Sequence, residues 1–211
     1  MNIILLGHPG SGKGTEAKLI QKKFGVPHIS TGDIFRSISQ ENTELGREVS
    51  RLIGSGNFVP DNITIKVVKE RLSKEDCKNG FILDGFPRNL NQAKELDKFV
   101  NIDKVIHLHI NDETAVKRLS SRWQCKKCGI IYGINIQPKN NHFCDECKEE
   151  LYRREDDRPE VVINRIEVYH KETTPLIDYY KKKGIYYTIN AERTVEEIFE
   201  DMCKIIKNKK K

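Results

Sequence analysis

A glycine-rich segment near the N-terminus, residues 7–15 (GHPGSGKGT), constrains the fold of this chain more than any other stretch. It follows a short apolar run, residues 2–6, that is typical of a buried strand, and it precedes Ala17, Ile20 and Phe24 at helical spacing. Glycines let successive N–H groups point at one anion, and a helix N-terminus and a lysine add positive potential. The segment is therefore predicted to be a phosphate-binding loop between a strand and a helix.

The spacing Gly7-x4-Gly12-Lys13 fits the general phosphate-loop pattern, but the last position of the pattern departs from it. Gly14 stands where a serine or threonine hydroxyl usually meets magnesium, and Thr15 follows one residue later. The alternative interpretation is a purely structural glycine turn at the end of a strand. Whether Gly14 is compatible with phosphate binding therefore has to be judged from the rest of the chain.

The composition describes an ordinary soluble protein: 37% of its 211 residues are hydrophobic and 32% are charged. No stretch approaches the roughly 20 apolar residues of a membrane span, and the apolar start is too short for a signal peptide. We therefore expect a cytoplasmic protein without a membrane partner. The net charge of +6 suits a nucleic acid or a small polyphosphate and does not choose between them.

Helical patterns alternate with short apolar runs along most of the chain. This alternation predicts βαβ units around a parallel sheet, with right-handed crossovers. The predicted strands are residues 2–6, 27–29, 80–84, 104–110 and 185–189. Thr194 and Glu197 are spaced as a capping box at the start of the last helix.

Two stretches interrupt the alternation and are interpreted as insertions: residues 30–59 and residues 122–158. The core would then consist of residues 1–29, 60–121 and 159–211. Pro159 suits the first turn of a helix after the second insertion, where its missing N–H costs little, and Pro175 should break or kink that helix.

Two short segments place polar groups after predicted strands. In FILDGFPR (residues 81–88), Asp84 ends a buried strand at the sheet edge where ligands bind, and such an aspartate commonly orients magnesium and its waters. In STGDIFR (residues 30–36), Arg36 could reach a second anion. The alternative for Asp84, and for Ser30, Thr31 and Asp33 alike, is simple helix capping.

A set of arginines surrounds the second insertion. Arg118 and Arg122 are expected on one helical face at i, i+4, and Arg153, Arg154, Arg158 and Arg165 follow, with Asp156 and Asp157 among them. They are either a solvated surface or a cluster that neutralises a transferring phosphate.

Four of the six cysteines form the pattern Cys125-x2-Cys128-x15-Cys144-x2-Cys147. Two such pairs can supply four thiolates at tetrahedral angles, so we predict a zinc ion that is structural because no coordination position stays open. The histidines at positions 8, 28, 107, 109 and 170 show no ligand pattern in the sequence and are assigned to packing.

Taken together, these segments resemble adenylate kinases of the long form with a zinc-bearing lid. The resemblance rests on GHPGSGKGT, in which Gly14 is the residue that the family carries, on STGD with Arg36, on DGFPR with Gln92, and on the arginines and cysteines. It extends from Met1 to about Phe199. Glu16 and Ser121 depart from the usual glutamine and glycine, and Asn190-Ala191 replaces a common Asp-Gly, which affects the expected selectivity for the triphosphate's base.

The resemblance implies an α/β fold: a parallel sheet of the P-loop NTPase type flanked by helices, with a helical AMP-binding insertion (30–59) and a small zinc-binding lid (122–158). It implies a monomer that binds ATP, AMP and ADP, not nucleic acid, and uses Mg²⁺ with ATP. The implied reaction is reversible transfer of the terminal phosphoryl group from Mg-ATP to AMP.

The resemblance also implies the site residues. The catalytic set would be Lys13, Asp84, Arg88, Arg122, Arg154 and Arg165. ATP would contact Gly10, Ser11, Gly12, Lys13, Gly14, Thr15, Arg118, Arg122 and Arg193. AMP would contact Thr31, Arg36, Val59, Gly85, Arg88, Gln92, Arg154 and Arg165.

Two other functions stay open at this point. A kinase for UMP or CMP is the nearer alternative, although Gln92 favours adenine within the wider family of nucleoside monophosphate kinases. A nucleic-acid-dependent NTPase, gripping a strand through the cysteine module, is the more distant one.

Overall fold

The computed structural model describes residues 1–134, 136–140 and 142–208. Asn135 and Asn141 of the predicted lid and residues 209–211 of the predicted core lie outside the described residues. Along the chain the strands and helices are β1 (Asn2–Gly7), α1 (Lys13–Phe24), β2 (His28–Ser30), α2 (Thr31–Ile38), α3 (Glu44–Gly54), α4 (Asp61–Leu72), β3 (Phe81–Asp84), α5 (Leu90–Leu96), β4 (Lys104–His109), α6 (Asp112–Ser120), β5 (Trp123–Cys125), β6 (Ile131–Tyr132), β7 (Leu151–Tyr152), α7 (Pro159–Val168), α8 (Pro175–Lys182), β8 (Tyr186–Asn190) and α9 (Val195–Lys207).

Five parallel strands form the central sheet in the order β2-β3-β1-β4-β8. Side chains alternate across β1, so Ile3 and Leu5 join one hydrophobic cluster while Ile4 and Leu6 join another. Helices α1, α6, α7 and α9 contribute to the first cluster, and α4, α5 and α8 contribute to the second. Helices therefore cover both faces of the sheet, which is why its strands are apolar throughout. The α/β fold with a parallel sheet is confirmed.

The predicted strands are all present, each within one residue of its expected bounds. The capping box of α9 forms: Glu197 N–H donates to Thr194 Oγ1, and Thr194 N–H donates to the Glu197 carboxylate. Pro159 occupies the first turn of α7. The predicted break at Pro175 takes the form of a π-helical segment, Tyr169–Thr173, between α7 and α8.

The first interrupting stretch holds α2 and α3, and Phe35, Val49 and Val59 form a small core of their own beside the main clusters. The second holds an antiparallel three-stranded sheet in the order β6-β5-β7, a feature that the sequence did not predict. Within the described part of the chain, no helix is long and apolar enough to cross a membrane.

One prediction about a helix is wrong. Helix α6 ends at Ser120, and Ser121 is its C-cap. Arg122 therefore lies beyond the helix that carries Arg118, immediately before β5. Arg118 and Arg122 therefore do not share a helical face, because the chain leaves the helix before Arg122 to begin the small antiparallel sheet.

Candidate functional site

A cleft of about 1310 Å³ opens beside the carboxyl ends of β1 and β3. Its walls come from the glycine-rich loop, from residues 30–59, from residues 122–158 and from the core. All the predicted site residues outside the cysteine set line it: Gly10, Ser11, Gly12, Lys13, Gly14, Thr15, Thr31, Arg36, Val59, Asp84, Gly85, Arg88, Gln92, Arg118, Arg122, Arg154, Arg165 and Arg193. The fold thus brings together residues that lie up to 183 positions apart, from Gly10 to Arg193.

The glycine-rich loop places a partly buried lysine, Lys13, at the start of α1. Gly10 and Gly12 have φ values of 83° and 93°, which L side chains rarely adopt, so the loop's path requires glycine there. Lys13 Nζ donates to the carbonyl oxygens of Gly7 (2.8 Å) and His8 (2.9 Å). Burial lowers the pKa of Lys13 to about 8 against the attraction of Asp84. The ammonium is thus held where an anionic ligand would stabilise its charge.

Asp84 lies at the carboxyl end of β3, level with Leu5 of β1 and Ser30 of β2. Its Oδ2 is 3.2 Å from His28 Nε2, and an added Cβ at Gly14 would lie 3.6 Å from the same oxygen. Burial would raise the pKa of Asp84, but the contact with His28 and the charge of Lys13 hold it below the usual range. A largely buried, ionised carboxylate beside the phosphate-binding loop suits a divalent cation.

His28 was not predicted as part of this site, and its assignment to packing alone is incomplete. It contacts Asp84 because β2 pairs in parallel with β3. The sequence feature that could have indicated this role is its position: His28 begins β2, the strand that leads into the STGD segment.

Three arginines share two aspartates on one side of the cleft, close to residues 122–158. Arg122 donates through Nε to Asp157 Oδ2 (2.7 Å), and Arg154 donates through Nε to Asp156 Oδ1 (2.8 Å). Arg165 Nη1 lies 3.0 Å from the Asp157 carboxylate and 3.1 Å from that of Asp156. Three guanidinium groups against two carboxylates leave a net positive charge, and these side chains are at most 18% exposed.

The electrostatics of this arginine–aspartate network favour binding of a further anion. Burial alone would raise the pKa of Asp156, but Arg154 and Arg165 outweigh it and keep that pKa well below the usual range. Burial, together with the repulsion of Arg154, lowers the pKa of Arg122 to about 10. The guanidinium groups remain charged at neutral pH, and their mutual repulsion would be relieved by a phosphate.

The opposite side of the cleft holds Arg36 and Arg88. Arg36 pairs with Asp33 one helical turn away, and Ser30 caps α2 by accepting from Asp33 N–H, so the capping interpretation of Ser30 is also correct. Arg88 Nε donates to Gly85 O (2.7 Å), and its guanidinium lies 4.8 Å from the centre of the Phe58 ring.

Gln92 is held in place by two contacts. Its Oε1 accepts from Arg88 N–H (2.7 Å), and its Nε2 donates to Asp61 Oδ1 (2.7 Å). Asn89 and Asn91 also donate to the Asp61 carboxylate, at 3.0 and 2.7 Å. Asp61 was not predicted as part of the site, because nothing near it in sequence marks it as a partner of Gln92.

Near α9 the cleft is lined by Arg118, Arg193 and the buried Glu16. Arg193 pairs with Asp201 at 2.6 Å. Glu16 is 1% exposed, and its Oε2 has no hydrogen-bond partner among the described residues. Burial, with a contribution from Glu196, raises the pKa of Glu16 to about 8, so this carboxyl is mostly protonated at neutral pH.

The four predicted cysteine ligands converge at the edge of the small antiparallel sheet, where Cys125 ends β5 and the other three lie in the connecting segments. Cys125 and Cys147 Sγ are 3.3 Å apart, and Cys128 and Cys144 Sγ are 3.4 Å apart, so neither pair forms a disulfide. A tetrahedral site with Zn–S distances of about 2.3 Å needs sulfurs about 3.8 Å apart, a small expansion from this arrangement. The cluster could therefore hold a zinc ion. His142 is not among these converging groups.

Comparison with known proteins agrees with this geometry. The family model described as adenylate kinase matches residues 5–185. The adenylate kinase of Caldanaerobacter subterraneus subsp. tengcongensis is 48% identical over 98% of this chain and 96% of its own length. That of Limosilactobacillus reuteri is 46% identical over 99% of both chains, and that of Acetivibrio thermocellus is 48% identical over 96% of both.

Proposed function

This chain belongs to the adenylate kinase family and transfers a phosphoryl group between ATP and AMP, and we propose that the cleft described above performs this reaction on magnesium-bound ATP, giving two ADP. The observation that carries the proposal is the buried network of Arg122, Arg154 and Arg165 lining the same cleft as Lys13. Planar cations gathered at one point of a nucleotide-sized cleft suit charge spread over phosphate oxygens.

The donor nucleotide would bind along the glycine-rich loop. The amides of the loop and Lys13 would hold its phosphates, with Gly10, Ser11, Gly12, Gly14 and Thr15 around them. Arg118 and Arg193 would contact the donor farther along the cleft. Asp84 would hold Mg²⁺, which neutralises phosphate charge when bound, and the ionised state of this carboxylate supports the assignment.

The acceptor would bind between the core and the helices of residues 30–59. Arg36 and Arg88 would anchor the AMP phosphate. Thr31 and Gln92 would lie near the adenine, and Val59 and Gly85 would complete the pocket. The two hydrogen bonds that fix the Gln92 amide support a role in reading a base, because a fixed amide presents one donor edge and one acceptor edge.

No general base is needed for this transfer. The second pKa of a phosphate monoester is about 6, so the attacking AMP phosphate is largely ionised at neutral pH. Catalysis would then rest on alignment of the two nucleotides and on charge stabilisation by the arginines. Closure of the two insertions, residues 30–59 and the lid at 122–158, over the core would exclude the water that could otherwise hydrolyse ATP.

The cysteine cluster would hold a structural zinc ion and would take no part in the chemistry, since four thiolates leave no open position. We further propose a monomeric, cytoplasmic enzyme whose partners are ATP, AMP and ADP and not nucleic acid. Gel filtration with light scattering tests the oligomeric state. Stimulation of ATP hydrolysis by single-stranded oligonucleotides would contradict the absence of a nucleic-acid partner.

The assignment of the arginines is tested by Arg88→Ala and Arg122→Ala. Each should lower kcat for ADP formation from ATP and AMP by about 10²–10³, the usual cost of one lost charge-stabilising donor. Arg47→Ala is the matched control, since Arg47 is exposed on α3 and its contact is with Asn42. The measurement is a coupled assay, with circular dichroism to verify folding. Near-normal turnover in both variants would refute their roles.

Selectivity for the acceptor is tested separately with AMP, CMP, UMP and GMP under the same conditions. We expect kcat/KM for AMP to exceed kcat/KM for CMP and UMP. In the Gln92→Ala variant, the difference between these kcat/KM values should be smaller. A preference for UMP or CMP would instead favour a pyrimidine nucleotide kinase.

A further inference from the structure

Three polar residues that are remote in sequence meet outside the lining of the cleft. They are His8 in the glycine-rich loop, Asp112 at the first residue of α6, and His170 in the π-helical segment. His8 Nε2 lies 3.0 Å from Asp112 Oδ1, and His170 Nε2 lies 2.9 Å from the same oxygen and 3.1 Å from Oδ2. Both histidines were predicted to serve packing alone, because their separation in the sequence hides this arrangement.

The hydrogen-bonding of the His8 ring is incomplete when the ring is neutral. The ring is buried, its Nδ1 lies 3.1 Å from the Pro9 carbonyl oxygen, and its Nε2 faces the Asp112 carboxylate. Both neighbours are acceptors, but a neutral imidazole has one N–H to donate. With that hydrogen on Nδ1, the Nε2 lone pair points at a carboxylate oxygen. A cation between these two atoms would satisfy both.

We propose that His8, Asp112 and His170 form a second metal site that binds a divalent transition ion such as Zn²⁺. Two imidazoles and one carboxylate are ligands that zinc accepts. Tetrahedral geometry with bonds of about 2.0 Å separates neighbouring ligand atoms by about 3.3 Å, close to the His–Asp distances. The three ligand atoms already lie within 4.8 Å of one another.

This site differs chemically from the cysteine cluster. Three protein ligands leave at least one coordination position to water, and the Asp112 and His170 side chains are 57% and 51% exposed, so an ion can enter from solvent. Four thiolates bind zinc more tightly than such a set, so the cysteine site should fill first. A bound ion would join the glycine-rich loop to α6 and to the helical segment after α7, and would stabilise the folded state by mass action.

The experiment counts metal ions. Protein that carries one zinc per chain, dialysed free of excess metal, is titrated with Zn²⁺ in a buffer that does not chelate, and bound zinc is measured by calorimetry and by elemental analysis. We expect a second equivalent in the unmodified protein. Asp112→Asn and His170→Gln should weaken binding of the second equivalent at least tenfold. His109→Gln removes an exposed imidazole outside the cluster and should leave the stoichiometry at two.

Added Zn²⁺ should also raise the Tm of the unmodified protein and of His109→Gln, and this rise should disappear in His170→Gln. Asp112 and His170 have no assigned role in phosphoryl transfer, so ADP formation from ATP and AMP verifies that each variant is folded. Binding of only one zinc by the unmodified protein would overturn the proposal, since the cluster would then be an ordinary hydrogen-bonded set. Equal binding of a second zinc by His170→Gln and Asp112→Asn would overturn it as well.

Discussion

At the scale of single residues, the buried Glu16 makes the stability of the folded state depend on pH. Its carboxyl is protonated in the folded protein at neutral pH because burial raises its pKa from 4.5 to about 8. The unfolded chain releases this proton near pH 4.5, so the folded state binds more protons between these values. The contribution of Glu16 to the free energy of unfolding therefore falls as the pH rises from about 4.5 to about 8.

We predict that Glu16→Gln, which keeps the shape and removes the titration, raises the free energy of unfolding at pH 7.5 by about 4 kcal/mol, because this pH lies three units above the pKa of the unfolded chain and each unit corresponds to about 1.4 kcal/mol. Near pH 4.5 the two proteins should be almost equally stable. Urea unfolding at both pH values measures this, with the exposed Glu48→Gln as control. A difference between wild type and Glu16→Gln that does not change with pH would contradict the buried, protonated state.

Residue types and spacings selected residues that line one cleft in the structure, but they did not predict the partners of these residues. The glycine-rich loop and the cysteine pairs are local patterns whose geometry follows from sequence. The contacts of Arg122 with Asp157, of His28 with Asp84, and of Gln92 with Asp61 join residues 35, 56 and 31 positions apart. They depend on how strands and insertions come together, which no local pattern records.

At the scale of elements, the strands were predictable because each is a short apolar run between turn residues. The end of α6 was not, because propensity does not mark Ser121 as a stop. The small antiparallel sheet was missed for a physical reason: β6 and β7 have only two residues each, too few for an alternating pattern. Its buried core consists of Cys125, Tyr132, Cys144 and Leu151, so half of that core is cysteine from the proposed zinc site.

So small a core cannot hold the lid folded by apolar burial alone, and we predict that it depends on zinc. Cys125→Ser, or chelation of the metal, should unfold the lid and lower the Tm. The stabilisation should be smaller than the about 10–16 kcal/mol of isolated zinc peptides, because the core stays folded.

Trp123, the only tryptophan of the chain, begins β5 and packs against Arg153, so its fluorescence reports on the lid. Its emission should shift to the red on chelation while the helical circular dichroism persists. The control is Cys203→Ala, which removes a cysteine of the core that is not part of the cysteine cluster, and this variant should still bind zinc. Protein that contains no zinc as purified and does not respond to chelators would contradict a structural metal.

At the scale of the whole molecule, both insertions contact the core in this structure. Asn164 of α7 donates to Ser55 O (2.7 Å) within residues 30–59, and Lys18 of α1 donates through Nζ to Gly129 O (2.8 Å) within residues 122–158. The network of Arg122, Arg154 and Arg165 with their two aspartates is also formed in this structure. Because these hydrogen bonds join separate parts of the chain, they stabilise only those conformations in which the two parts are in contact.

We predict that Lys18→Ala weakens the closed arrangement without disturbing the fold. One hydrogen bond at an exposed site contributes about 0.5–1.5 kcal/mol, so affinity for an analogue that joins two adenosines through a polyphosphate should fall about 2–10-fold. AMP alone, which would contact the other insertion, should bind with unchanged affinity. Lys22→Ala, an exposed lysine one turn farther along α1, is the matched control. Calorimetry measures all three proteins, and equal affinity of Lys18→Ala and Lys22→Ala for the analogue would mean that this contact has no part in lid closure.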